Sequence, residues 1–313
     1  MKAIATADFG VSPSIHEIPT PAPGPDEVLV RVQSSSLNGI DLAVAGGYLK
    51  GMMEHRFPVV LGRDFAGTVA AIGTDVTRFK IGDDVMGVVM KPFLGDGAFA
   101  EYLRVPEGVG ITNRDHAIPV AEAGAIGLAG AAAYDSVQAL NLKKGETVLI
   151  SGATGGVGAF AIQLAVARGA SVIATARPGT EADFVRSLGA SYVVDYTADI
   201  AKAVKALRPN GVEAALHFAG KAQDLMDVLA PKGRIASTLG IRQDAATPHG
   251  IVITSIMANP SVATLDALAA EVAAGRLKVK THRTYKLGEV PSAIHDFSTG
   301  TLGKLVILVD TGV

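Results

Sequence analysis

VLISGATGGVGAFAIQLAVARGASVIATA, residues 148–176, is the stretch on which the fold turns. Val148 to Ile150 form a short run of β-branched and leucine residues, and glycines come at once after it. From Ala159 the apolar residues recur at helical spacing, and a second apolar run, Ser171–Ala176, closes the stretch. Strand, tight turn, helix and second strand in that order are what a dinucleotide-binding βαβ unit requires. Gly155 and Gly156 let the main chain approach a pyrophosphate with no Cβ in the way. Gly158 lets the helix lie close on the strand, and the helix N-terminus offers unpaired N–H groups to the anion. A glycine triplet alone would be an ordinary turn; the flanking strands and helix argue for the nucleotide. The charge-free run Val148–Ala167 has about the length of a membrane span, but Gly152, Gly155, Gly156 and Gly158 break it into strand, turn and helix.

On the C-terminal side the alternation continues. Tyr192–Asp195, Ala214–Ala219 and Gly233–Leu239 read as further strands, and Ile251–Met257 as a sixth. Helices are expected at Ala159–Arg168, Glu181–Leu188, Ile200–Leu207 and Lys221–Leu229. Strands alternating with helices predict an α/β domain, a doubly wound Rossmann-like parallel sheet with right-handed crossovers. On the N-terminal side the character differs. Glu27–Gln33, Gly67–Ile72 and Asp84–Val89 read as short strands between glycine and proline turns, a β-rich domain. Ser261–Ala274 reads as an alanine-rich helix and Lys304–Val309 as a closing strand that periodicity assigns to neither domain.

The chain has 313 residues, 49% of them hydrophobic, 36 glycines and no cysteine. That length predicts two domains, each able to bury a core. A net charge of −2 supplies no basic field for a polyanion, so nucleic acid is not an expected partner. Without cysteine there are no disulfides, no thiolate nucleophile and no zinc site built on sulfur. MKAIATADFG, residues 1–10, lacks the charged start and long apolar run of a signal peptide, so a cytoplasmic location is expected. Cofactor choice turns on the residue directly after the second strand, where an acid suits the ribose 2′-hydroxyl of NAD and a cation the 2′-phosphate of NADP. Arg177 holds that place and no carboxylate appears before Glu181, which on the next helix can point to solvent. NADPH is therefore the expected cofactor.

GATGGVG at 152–158 resembles the glycine turn of the quinone reductases of the medium-chain dehydrogenase/reductase superfamily. LNGID at 37–41, GGY at 46–48, PVVLGRDFAGTV at 58–69, IGDDVMG at 81–87, GAFAEY at 97–102, LGA at 188–190, VVDY at 193–196 and GKLVILV at 303–309 agree with that superfamily in order and spacing. The resemblance covers nearly the whole chain. It implies a GroES-like β-rich catalytic domain made from residues 1–120 and 261–313, with the nucleotide-binding domain, 121–260, inserted between. It implies a substrate cleft between the domains, with His55–Arg63 and Arg242–Gly250 expected to shape it, and a homodimer joined near the edge strand 251–257. The candidate cofactor contacts are Gly152, Thr154, Gly155, Gly156, Val157 and Gly158 in the turn, with Arg177 and Tyr196 for the phosphate. Phe218, Ala219, Leu239 and Gly240, at the ends of the fourth and fifth strands, complete the set.

The zinc enzymes of that superfamily carry a cysteine in a CxxD pattern and a histidine in a GHE pattern. Here those positions hold Asn38 and Arg63, the cysteine-rich lobe is missing, and the seven histidines are dispersed without an HxH or HxxxH pair. No metal is expected. Without a Lewis acid the easier chemistry is hydride delivery to a quinone or to the β-carbon of an enone. The resemblance places Asn38, Asp41 and Tyr48 in the substrate cleft, with Tyr48 as candidate donor to the acceptor, or else as pocket lining. Two departures stand out: Ala132 in AGAAAY, where a threonine is frequent, and Glu181, where many quinone reductases have a lysine. A second reading is a low-turnover NADPH-binding protein with a structural or redox-responsive role.

Overall fold

The computed structural model describes residues 1–243, 247 and 250–309. The chain divides into two units, Met1–Leu128 with Pro260–Val313, and Ala129–Asn259. The second begins after Leu128 rather than after residue 120, because Leu128 N–H donates to the Asp64 carboxylate, 2.7 Å, and Gly124 packs on Ser34 of the first unit.

The second unit is a six-stranded sheet of β1 (Thr147–Ser151), β2 (Ser171–Thr175), β3 (Tyr192–Val194), β4 (Val212–His217), β5 (Leu229–Ser237) and β6 (Val252–Ser255). All pairings are parallel and the spatial order is 3-2-1-4-5-6. Every residue of β1 is buried, as a strand covered on both faces must be, which is why it is an unbroken run and not an alternating one. The helices α1 (Gly156–Ala167), α2 (Thr180–Ser187), α3 (Ile200–Leu207) and α4 (Ala222–Met226) come after the first four strands in turn. Leu149, Ile173, Val204, Val212, Ala215 and Ile235 form its fully buried centre. Strand order reverses between β1 and β4, which opens a crevice at their carboxyl ends.

In the first unit the strand Glu27–Ser36 is central. It pairs antiparallel with Asp64–Ile72, Tyr102–Pro106 and Lys304–Leu308. The C-terminal strand thus returns to the N-terminal sheet, where Val306 faces Ser36. Val28, Val30 and Val32 alternate inward with Phe65, Val69, Leu103, Leu305 and Ile307 to make the core. Periodicity misses the parallel edge strand Thr281–Lys286, since only Tyr285 of its six residues is buried and no apolar alternation marks it. Residues 244–246 and 248–249, within the segment expected to shape the acceptor pocket, lie outside the described residues. No helix among the described residues is long and apolar enough to cross a membrane.

Candidate functional site

The glycine turn joins β1 to α1. Gly152 has φ +65, a conformation that side chains other than glycine rarely adopt. A Cβ on Gly158 would lie 2.3 Å from Gly152 O and 2.6 Å from Ala153 Cα, so only glycine lets α1 pack this closely on the turn. Gly155 is the N-cap of α1 and makes no side-chain cap hydrogen bond. The first N–H groups of this twelve-residue helix therefore have no side-chain acceptor from the cap and point, with the positive end of the helix dipole, out of the turn. A Cβ at Gly155 would meet nothing nearer than Gly152 O at 3.6 Å, which leaves room for a ligand against the main chain.

A pocket of about 270 Å³ opens at the carboxyl ends of β1, β2 and β4. Gly152, Thr154, Tyr196 and Ala219 line it, as do Ser151, Thr175, Ile200, Gly220, Lys221, Asp224 and Leu225, which no sequence motif singles out. Of the expected cofactor contacts, its lining does not include Gly155, Gly156, Val157 and Gly158 at the start of α1, nor Arg177, Phe218, Leu239 or Gly240. His217 holds the loops around it. Its Nε2–H donates to Gly220 O, 3.1 Å, and its Nδ1 accepts from Ser237 Oγ, 2.9 Å, which in turn accepts from Leu239 N–H at 3.1 Å. This buried chain fixes the ends of β4 and β5 relative to one another; a lone histidine within an apolar strand gives no spacing signal for it.

Arg177 lies just beyond β2 and is exposed, but its guanidinium is engaged. Glu181 Oε1 accepts from Arg177 Nε at 2.8 Å and Nη2 at 2.5 Å, and Oε2 accepts from Arg177 N–H at 2.8 Å. Tyr196 Oη donates to the same carboxylate, 3.3 Å. The expectation that Glu181 points to solvent is corrected. From the first turn of α2 its side chain folds back over the end of β2, where a main-chain donor and a cation both await it. Burial acts to raise the Glu181 pKa, but the hydrogen bonds and charge of Arg177 outweigh it and hold the group below the ordinary carboxylate value.

In the first unit the candidates Asn38 and Asp41 belong to a buried polar cluster. Asn38 is the N-cap of the helix Gly39–Ala45. Its Nδ2 donates to Ser36 O, 3.2 Å, and to Asp64 Oδ2, 2.9 Å, while its Oδ1 accepts from Lys304 Nζ, 2.6 Å. Lys304 also donates to Leu37 O, 3.1 Å, and lies 3.5 Å from Asp64 Oδ2. Ser36 Oγ completes the set with a 2.6 Å bond to Asp64 Oδ2. Asp41 accepts from Asn38 N–H, 2.8 Å, and from Gly62 N–H, 3.2 Å. Burial pushes the Asp41 pKa up to about 7; the Asn38 N–H opposes this, the Asp64 charge reinforces it, and Arg63 and Lys304 oppose it more weakly. Burial likewise lowers Lys304, against the pull of Asp64 and Asp41. Arg63 donates to Val89 O at 2.9 Å. An amide already holding an ammonium, beside a guanidinium, is not a zinc-binding donor set. Asp64 and Lys304 fall within the longer sequence matches, yet no motif gives either a role, because their meeting joins strands 240 residues apart.

Tyr48 stands apart. It is 79% exposed, and among the described residues its hydroxyl has no hydrogen-bond partner. Both N–H donors of Asn38 are used internally and Asp41 is 2% exposed, so Tyr48 alone of the three presents a free donor to solvent.

Residues 24–113 match the Alcohol dehydrogenase GroES-like domain family and residues 156–263 the Zinc-binding dehydrogenase family. The chain is 30% identical over 331 aligned positions to the NAD(P)H oxidoreductase RTN4IP1, mitochondrial, of Danio rerio, covering 91% of this chain and 84% of that protein. It is 35% identical over 209 residues to the chloroplastic quinone-oxidoreductase QR1 of Triphysaria versicolor, 65% of this chain, and spans 62% of that relative's length. Among solved structures, the quinone oxidoreductase from Coxiella burnetii superposes with a TM-score of 0.86 at 29% identity, covering 99% of both chains. With part of the β-rich unit matched by one of these families and the chain from α1 to the end of the sheet by the other, and similarity running through both, the chain belongs to the medium-chain dehydrogenase/reductase superfamily, in its quinone oxidoreductase and enone reductase branch.

Proposed function

We infer that the protein is a zinc-independent, NADPH-dependent reductase that delivers hydride to a quinone or an α,β-unsaturated carbonyl. The observation that carries this reading is the Lys304 ammonium seated on Asn38 and Asp64, where the zinc enzymes resembled by this chain place a metal ligand. That arrangement argues against a Lewis acid for an alkoxide at this place and supports acceptors whose conjugation already stabilises the reduced product. The residues of the turn fit a dinucleotide: Gly155 leaves the α1 N-terminus open for the pyrophosphate, and Thr154, Ala219 and Tyr196 line the adjoining pocket. When bound, the cofactor supplies the hydride. Tyr48 donates a hydrogen bond to the acceptor oxygen as negative charge grows there, and Arg177 with Tyr196 binds the 2′-phosphate.

The test is oxidation of NADPH and of NADH with a panel of quinones and enones, in wild type and in Arg177→Ala. A guanidinium–phosphate contact in a partly exposed site is worth about 1.5–3 kcal/mol, or roughly tenfold to a hundredfold. The substitution is expected to raise the KM for NADPH by at least about tenfold and leave that for NADH nearly unchanged. A wild-type preference for NADH, or equal loss for both, rejects Arg177 as the phosphate's partner. Tight NADPH binding without turnover across the panel rejects the enzymatic reading in favour of a cofactor-binding protein.

A further inference from the structure

The two groups assigned to the 2′-phosphate, Arg177 and Tyr196, both already bind one carboxylate. Glu181 receives two bonds from the Arg177 guanidinium, a third from the Arg177 main chain and a fourth from the Tyr196 hydroxyl. Its side chain is 15% exposed against 57% for Arg177, so the acid sits beneath the cation at the strand end. A phosphate approaching Arg177 has to share or displace that acid, and it meets a like charge as it does so. Among the described residues that line the pocket, Lys221 is the one basic side chain and Asp224 accompanies it, so the lining supplies no net positive charge to offset this.

The geometry points to Glu181 as the residue that sets nucleotide preference: by holding Arg177 and Tyr196 it restrains the gain from a 2′-phosphate and keeps NADH a usable cofactor. This rests on the dinucleotide reading of the glycine turn. Glu181 acts here as a specificity-determining residue and not merely as a local backbone cap, since three of its four bonds come from the Arg177 guanidinium and the Tyr196 hydroxyl. A neutral isostere should therefore release Arg177 for the phosphate, and the gain should require Arg177.

Isothermal titration with adenosine 2′,5′-bisphosphate and 5′-AMP reads this without an acceptor, because the two probes differ only in the 2′-phosphate. Their affinity ratio is to be measured in wild type, Glu181→Gln, Arg177→Ala and the double variant, with thermal melts as the check on folding. Glu181→Gln is expected to shift the ratio about tenfold toward the bisphosphate, with little change for 5′-AMP. In the Arg177→Ala background most of that shift should vanish, a coupling that a purely structural acid would not show. Glu181→Ala, with the carboxylate removed altogether, should move the ratio in the same direction. An unchanged ratio in both Glu181 variants, or a ratio that falls, overturns the proposal; a fall would mean that Glu181 pre-positions Arg177 for the phosphate. Failure of wild type to bind either probe, or NADPH, overturns the dinucleotide reading itself.

Discussion

Asp41 shows how burial sets the chemistry of a single side chain. Its pKa of about 7 in the folded protein lies above the ordinary 3.8, chiefly through burial. Between about pH 4 and 7 the folded chain holds a proton that the unfolded chain has released, so this group makes stability fall as pH rises through that window. The slope is at most about 1.4 kcal/mol per pH unit, and the penalty is complete above the folded pKa. Asp41→Asn cannot ionise, so the urea midpoint of wild type relative to this variant should decline from pH 5 to pH 8. A difference that stays flat across that range would show that Asp41 is ionised throughout. Tyr48 presents the opposite case, a donor left to solvent. Tyr48→Phe should lower kcat with enones while NADPH affinity holds, because the bond strengthens only as charge develops on the acceptor. Unchanged kcat would reduce Tyr48 to pocket lining.

For the turn and its helix, the glycines of 152–158 divide into those the fold needs and those a ligand needs. Gly158→Ala places a Cβ against main-chain atoms that cannot give way, so denaturant melts should show a loss of about 1–3 kcal/mol. Gly155→Ala meets no protein atom nearer than 3.6 Å and keeps an ordinary φ of −72. Its stability should stay within about 0.5 kcal/mol of wild type, while NADPH binding weakens as the methyl group occupies the anion's approach. If both variants lose stability equally, the division is wrong. The same element shows where helix and strand boundaries are legible. The helix at 200–207 has the expected ends, since periodicity there is continuous, and the strand Thr147–Ser151 extends the run Val148–Ile150 by one residue at each end. The strand Leu229–Ser237 begins four residues before its expected start, because exposed Pro231 and Lys232 interrupt the apolar pattern.

For the whole molecule, β6 is the outer strand of its sheet and among the described residues pairs only with β5. Val252 on it is 53% exposed and Met257 just beyond it 91%. An uncovered edge with apolar residues invites pairing with a second copy across a two-fold axis. The proposed homodimer should scatter light as twice the chain mass at micromolar concentration, and Met257→Lys should shift it toward monomer. A wild-type monomer at that concentration would count against the edge as an interface. Purified protein should also carry no stoichiometric zinc and keep its activity in chelator, and a metal content near one per chain with activity lost on chelation would sink the zinc-independent reading. What the sequence by itself determined is local and periodic: the βαβ turn and the alternation that makes a parallel sheet. Tertiary structure decided what depends on distant residues meeting. Lys304 lies on Asn38 only because the last strand pairs with Glu27–Ser36, and that contact commits the asparagine's amide to the interior. Glu181 folds onto Arg177 and Tyr196 because β2 and β3 lie side by side. Helical spacing alone allowed that carboxylate to face water; the unsatisfied main-chain donor and the cation at the strand end draw it inward.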